Sequence, residues 1–229
     1  MKKTLTVIIP CFNEENTIVE LLTRVLNQPD VNEVIVINDA STDKSAEILM
    51  NIKDSRLVYI HNSDNLGKGA SVKKGFQLAS SEYLLIQDAD LEYSPEEYPR
   101  LLKPLRDGYA DAVFGSRFLT YESRRALYFW HRVGNKFLTL LSNMFTNIDL
   151  TDMETCYKVM RTDFAKKIDI REKRFGLEPE LTAKLAKMDA RIYEVAISYR
   201  GRTYHEGKKI TWKDGFSAVR CIIKYNLLK

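Results

Sequence analysis

The sequence predicts an α/β fold: a mostly parallel sheet flanked by helices. Three observations predict it. Short β-branched or aromatic runs recur through the first half, each bounded by polar or turn residues. Helical patterns separate these runs, and alternation of this kind points to a parallel sheet covered on both faces. The polar residues of greatest chemical interest fall just after the runs, where open parallel sheets bind ligands.

The predicted strands are Leu5–Pro10, Glu33–Asp39, Leu57–Asn62, Tyr83–Asp88 and Ala112–Gly115. The intervening helices are Glu15–Asn27, Ser45–Ile52, Lys68–Ala79 and Pro95–Arg106. Arg124–Asn147 is then a long aromatic-rich helix, with Leu127, Trp130, Val133, Phe137, Leu141 and Met144 at helical spacing and Arg124, Arg125, Arg132 and Lys136 crowding its start. A loop, Asp149–Cys156, leads to a helix near Glu178–Lys187 and a strand near Ile192–Ser198. The last segment, Trp212–Lys229, is a second basic amphipathic helix, with Trp212, Phe216, Val219, Ile223 and Leu227 along one side.

The 229 residues are 45% hydrophobic and 29% charged, a globular composition. Three cysteines, odd in number and far apart, argue against a disulfide framework or a zinc site. The N-terminal run is too short and too quickly followed by acids to be a signal peptide. No stretch approaches the ~20 apolar residues of a membrane span. From Gly201 onward seven Lys/Arg face two Asp/Glu, so this tail alone carries more than the chain's net +4 and favours an anionic partner. The pI of 8.8 arises there, which gives little support to nucleic-acid binding.

Four constellations carry the chemistry. Gln87-Asp88-Ala89-Asp90-Leu91-Glu92 leaves a clean strand, and two carboxylates one residue apart can converge on a hard cation such as Mg²⁺ or Mn²⁺. The same residues also read as a solvated acidic turn before a helix capped by Ser94 and Pro95. Asp39, at the end of a buried strand, can accept hydrogen bonds from a nucleobase or ribose, while Ser41, Thr42 and Asp43 can cap the next helix. In Pro10-Cys11-Phe12-Asn13-Glu14-Glu15, Asn13 and Glu14 come beside Asp39 if the two strands are neighbours; an acidic helix start is the alternative. In Asn65-Leu66-Gly67-Lys68-Gly69-Ala70, the glycines permit close backbone approach and Lys68 offers a charge to a phosphate; a simple turn stands beside that reading.

Together, VIIPCFNEE, VINDAS, NLGKGAS and QDADLEYSPEE resemble the family-2 glycosyltransferases of the GT-A fold, a Rossmann-like sheet. Gly115-Ser116-Arg117-Phe118, Arg132-x-x-Asn135, Leu150–Lys158, Arg200/Arg202 and Lys208/Lys209 are similar, more loosely, to the polyprenol-phosphate sugar transferases of the dolichyl-phosphate mannose synthase type. The resemblance implies a single domain over 1–229: residues 1–120 bind the nucleotide-sugar, 121–211 the acceptor, and 212–229 form the basic helix. Pro10, Asn13, Glu14, Asp39, Gly67, Lys68, Asp88 and Ala89 would hold the donor. Asp88, Asp90 and Glu92 would surround the metal; many relatives have Gln at the last position, so this site would be one charge more negative. Arg117, Arg132, Arg202 and Lys208 would bind phosphates, with Asp90, Arg117, Asp152, Glu154 and Arg202 the catalytic set.

The implied reaction is an inverting transfer of a hexose from GDP-mannose or UDP-glucose to a polyprenyl or dolichyl phosphate, in the cytoplasm at the inner face of an anionic membrane. A phosphate monoester, with a second pKa of about 6, needs no strong base. The alternative acceptor, a saccharide hydroxyl, would make Asp152 or Glu154 the base. A nucleotidyltransferase would carry a Gly-rich, Arg-containing loop where this chain has PCFNEE. A binding module without turnover would not need both Asp88 and Asp90.

Overall fold

The computed structural model describes residues 4–119, 128–202 and 212–227. Seven strands form one sheet: β1 (Leu5–Cys11), β2 (Val31–Asn38), β3 (Leu57–His61), β4 (Tyr83–Ile86), β5 (Ala112–Ser116), β6 (Lys158–Arg161) and β7 (Ile192–Ala196). Their spatial order is β3-β2-β1-β4-β6-β5-β7. The helices are α1 (Ile18–Leu26), α2 (Ser45–Asn51), α3 (Lys68–Leu78), α4 (Tyr98–Arg106), α5 (Phe129–Thr146), α6 (Thr162–Ala165), α7 (Leu177–Lys187) and α8 (Trp212–Leu227), with a single 3-10 turn, Pro95–Glu97, before α4.

All six sequence-predicted strands form, within one or two residues at most ends. The central ones are apolar throughout because helices cover both faces: Val7, Ile8, Ile9 and Val34 to Ile37 are fully buried. β3 lies at the edge and is only partly covered. Strand β6 was not expected. Its four residues, KVMR, carry a charge at each end and give too short a pattern to read. It runs antiparallel to both β4 and β5, and every other pairing is parallel. Helix α1 begins at Ile18 rather than Glu15, because Asn13 to Glu15 are held in a turn by bonds to the loop after β2.

The chain winds outward from β1 through β2 to β3, then crosses back to place β4 on the other side of β1. Sheet order reverses there, and the crevice outside the strand ends opens at that point. The register aligns Cys11 with Asn38 and Ile8 with Ile86, so the segments after β1, β2 and β4 emerge together. The three cysteines are buried, and none is in a disulfide. Among the described residues, no helix is long and apolar enough to cross a membrane.

Candidate active site

The crevice holds a cavity of about 170 Å³. It is lined by Pro10 at the end of β1, by Phe12 and Glu14 in the turn that follows, and by Asp39, Lys68 and Ser71. The turn after β4 supplies Asp88, Ala89, Asp90 and Glu92, while Phe175, Tyr199 and Arg202 close the far side. Of the predicted donor residues, Pro10, Glu14, Asp39, Lys68, Asp88 and Ala89 therefore line one space.

Asn13 and Gly67 stand behind that lining and shape it. Asn13, at φ 53°, accepts from the Thr42 amide at 2.8 Å and donates to the Thr42 hydroxyl at 3.2 Å, so it stitches the β1 turn to the β2 turn. Gly67 adopts φ +94°, which side chains disfavour, and a Cβ there would stand 2.2 Å from the Lys173 carbonyl oxygen. Its amide donates to Asp39 Oδ2 at 2.7 Å, while Asp39 Oδ1 takes the Asn62 amide group and the Leu66 amide, both at 2.9 Å. Asp39 thus organises the 62–67 loop and also faces the cavity.

The acidic turn after β4 is held by two cations. Lys68 Nζ lies 2.8 Å from Asp88 and 3.0 Å from Glu178. Burial alone would raise the Asp88 carboxyl, yet the adjacent Lys68 brings it below its ordinary value. Arg202 Nη2 donates to Asp90 at 2.6 Å, and its Nη1 stands 3.5 Å from Glu14. Glu92 accepts from the Arg202 amide at 2.6 Å and the Tyr199 hydroxyl at 2.7 Å. Burial, reinforced by the charges of Asp88 and Glu92, pushes Asp90 up to about 7.

Five acidic side chains against two cations leave this lining with an excess of negative charge. A diphosphate would add to that excess, and hard divalent cations take oxygen ligands and bridge one or two carboxylates to phosphate. The donor set at Asp88 and Asp90 fits such an ion. Among the described residues no group of three His, Cys, Asp or Glu side chains stands ready-made for a metal; Asp88, Asp90 and Glu92 pair instead with Lys68, Arg202 and Tyr199.

A second group stands after β5. Arg117 makes a two-pronged pair with Asp152, Nε to Oδ2 at 2.6 Å and Nη2 to Oδ1 at 2.7 Å, and its amide adds a third bond at 3.0 Å. Burial opposes the Arg117 charge, and Asp152 more than restores it. Both Arg117 and Arg132 lie within 6.0 Å of the Phe118 ring, so the two phosphate candidates share one neighbourhood. Glu154 has one carboxyl oxygen, Oε1, that is buried without a partner. Burial, then the nearby Glu178 charge, pushes it up to about 8. Lys158, buried and lowered by that burial, donates to the carbonyls of Met153 and Thr155 and draws the 152–155 loop inward. Lys208 lies outside the described residues, as do Arg124, Arg125, Leu127 and Lys209.

Sequence reasoning missed Phe12, Ser71, Phe175 and Tyr199. Phe12 sits inside a motif already singled out; it is 36% exposed and lines the cavity. Ser71 lies in the first turn of α3, buried, with its hydroxyl unpartnered. Phe175 and Tyr199 come from loops with no distinguishing pattern.

Residues 6–169 match the family described as Glycosyl transferase family 2. An undecaprenyl-phosphate mannosyltransferase of Micrococcus luteus is 28% identical over 215 residues, covering 88% of this chain and 85% of that protein. The hexosyltransferase Agl6 of low-salt glycan biosynthesis in Haloferax volcanii is 28% identical over 96% of this chain, which spans only 53% of its length. Among solved structures, glucosyl-3-phosphoglycerate synthase of Mycobacterium tuberculosis with Mn²⁺, uridine diphosphate and phosphoglyceric acid superimposes at a TM-score of 0.73, with 17% identity over 99% of this chain and 80% of that one; the likeness is one of fold. With residues 6–169 matched and the sheet and crevice of the GT-A type in place, the chain belongs to glycosyl transferase family 2 and is a glycosyltransferase.

Proposed function

We propose that the chain transfers a hexose, with inversion, from a nucleotide-sugar of the GDP-mannose or UDP-glucose type to a polyprenyl phosphate at the inner face of a membrane. The observation that carries this reading is the Arg117–Asp152 pair. Both Asp152 oxygens are committed to the guanidinium, so Asp152 is a poor general base and a good holder of an arginine. Glu154, pushed up to about 8, keeps its proton at neutral pH. Neither acid offers the free carboxylate that a saccharide hydroxyl needs, whereas a phosphate dianion attacks without one.

In this reading Pro10, Glu14 and Asp39 hold the nucleoside, and Lys68, Asp88, Ala89 and Asp90 face the diphosphate. Asp88 and Asp90 would hold Mg²⁺ or Mn²⁺, which supplies charge neutralisation at the leaving diphosphate. Arg117, Arg132 and Arg202, with Lys208, bind acceptor and donor phosphates. The membrane component rests on α5 and α8. Trp130 is 78% and Phe216 71% exposed, beside the bases Arg132, Lys136 and Arg220, the pattern of an interfacial helix. The M. luteus relative's name, an undecaprenyl-phosphate transferase, agrees with that acceptor.

The test is release of nucleoside diphosphate from a panel of sugar nucleotides, with Mg²⁺ or Mn²⁺, with and without a short polyprenyl phosphate. Lipid-dependent release supports the proposal and identifies the donor. Release that requires a saccharide instead moves the acceptor to a hydroxyl. Asp90→Asn should reduce turnover to near background with an unchanged circular dichroism spectrum; full activity at saturating metal would remove Asp90 from the metal site.

A further inference from the structure

Helix α8 lies outside the cavity, yet it holds part of the cavity wall through one carboxylate. Glu172 accepts from three side chains of α8: Arg220 at 2.6 Å, Lys224 at 2.8 Å and the Tyr225 hydroxyl at 2.8 Å. Burial opposes its charge, and these three donors hold it ionised, down to about 2. The contact is close on the backbone side too: a Cβ on Gly176 would stand 2.5 Å from Cys221 Sγ of α8.

The segment anchored in this way lies directly on the donor turn. A Cβ on Gly69 would meet the Glu172 carbonyl oxygen at 1.9 Å, and one on Gly67 would meet that of Lys173 at 2.2 Å. The Gly69 amide donates to the Lys173 carbonyl at 2.8 Å. Lys68, between those glycines, reaches Asp88, and Phe175, two residues further on, lines the cavity. The opposite side of the segment is fixed by Glu180, which accepts from the amides of Arg171 and Glu172 at 2.8 and 2.7 Å.

We infer that Glu172 is a positioning residue for the donor: through it, α8 sets the 172–175 segment and hence Lys68 and Phe175. The inference rests on the donor reading of the cavity. It ties the helix proposed to meet the membrane to the turn proposed to meet the diphosphate.

Two variants test it: Glu172→Ala, and the α8 double substitution Arg220→Ala/Lys224→Ala, whose side chains are 55% and 38% exposed. Hydrogen exchange is read first. Faster exchange of the Gly69 amide and of residues 172–176 is expected in both, and unaltered exchange overturns the anchor whatever the wild-type chain binds. Nucleoside diphosphate affinity with Mn²⁺ is read next, by calorimetry. Both variants should bind roughly 2- to 30-fold more weakly, the range seen for coupled positions away from a ligand. The donor KM should rise by the same factor while kcat at saturating donor holds. Faster exchange with unchanged affinity would make Glu172 a structural staple only and overturn the inference. A wild-type chain that binds no nucleoside diphosphate overturns the donor reading and the inference with it, and the wild-type control alone reveals that case.

Discussion

Asp152 and Arg117 form the most informative pair at the scale of single residues. The Asp152 side chain is fully buried and that of Arg117 is 13% exposed, so removing either partner strands a charge. Breaking such a pair costs roughly 3–5 kcal/mol. Asp152→Asn and Arg117→Ala should each lower the unfolding midpoint and cut activity by about 100-fold or more. Acting as one unit, they should lose no more together than the worse one does alone, and a double-mutant cycle reads that directly. Glu154 predicts the opposite. Its carboxyl, ordinarily near 4.5, is raised to about 8 in the folded chain. Between those values the folded state keeps a proton that the unfolded state has lost. This group's contribution therefore falls as pH rises through the window and is gone above about 8. Glu154→Gln mimics the protonated acid, so activity at pH 7 should stay within roughly threefold. The thermal midpoint should also decline less between pH 6 and 9 than in the wild type. An inactive Glu154→Gln with a normal midpoint would point to a base and to a hydroxyl acceptor.

At the scale of elements, the turns that line the cavity were legible because they combine strand ends, small residues and acids in short contiguous runs. Asp39, Asp88 and Lys68 could each be found in such a run, and the sheet brings all three to one cavity. Phe175 and Tyr199 could not, since their place depends on where α7 and β7 pack and not on neighbours in sequence. β6 was hidden for a related reason: four residues bounded by Lys158 and Arg161 carry no usable period. Glu92 illustrates a third limit. Its position in the motif suggests a metal ligand, while its bonds to the Arg202 amide and the Tyr199 hydroxyl, over a hundred residues away, could not be read there. Close packing between elements is equally invisible from sequence. A Cβ on Gly75 of α3 would stand 2.4 Å from Ile8 Cγ2 of β1. Gly75→Ala should therefore destabilise by about 1–3 kcal/mol despite its higher helix propensity, measured as a lower denaturant midpoint at constant slope.

At the scale of the whole molecule, apolar exposure is concentrated on α5. Trp130, Phe137 and Met144 are 78%, 57% and 72% exposed, a cost a soluble surface rarely carries in one helix. Replacing all three with Ser should leave stability within about 0.5 kcal/mol per site, as expected for exposed positions. The same variant should lose co-sedimentation with anionic vesicles, and wild-type binding should weaken as salt rises toward 0.5 M. Vesicle binding by the triple variant equal to wild type would remove α5 from the membrane contact.

The path of the chain through the sheet has a separate consequence. It leaves at β5, runs through α5, and returns to insert β6 between β4 and β5. A strand from beyond α5 thus fills the gap between β4 and β5, contributing both of its hydrogen-bonding edges. A fragment ending at residue 120 would lack the piece that joins β5 to β4, and acceptor preference could not be exchanged between relatives by a single crossover there. Recombination that respects this weave must carry residues 112–161 as one cassette.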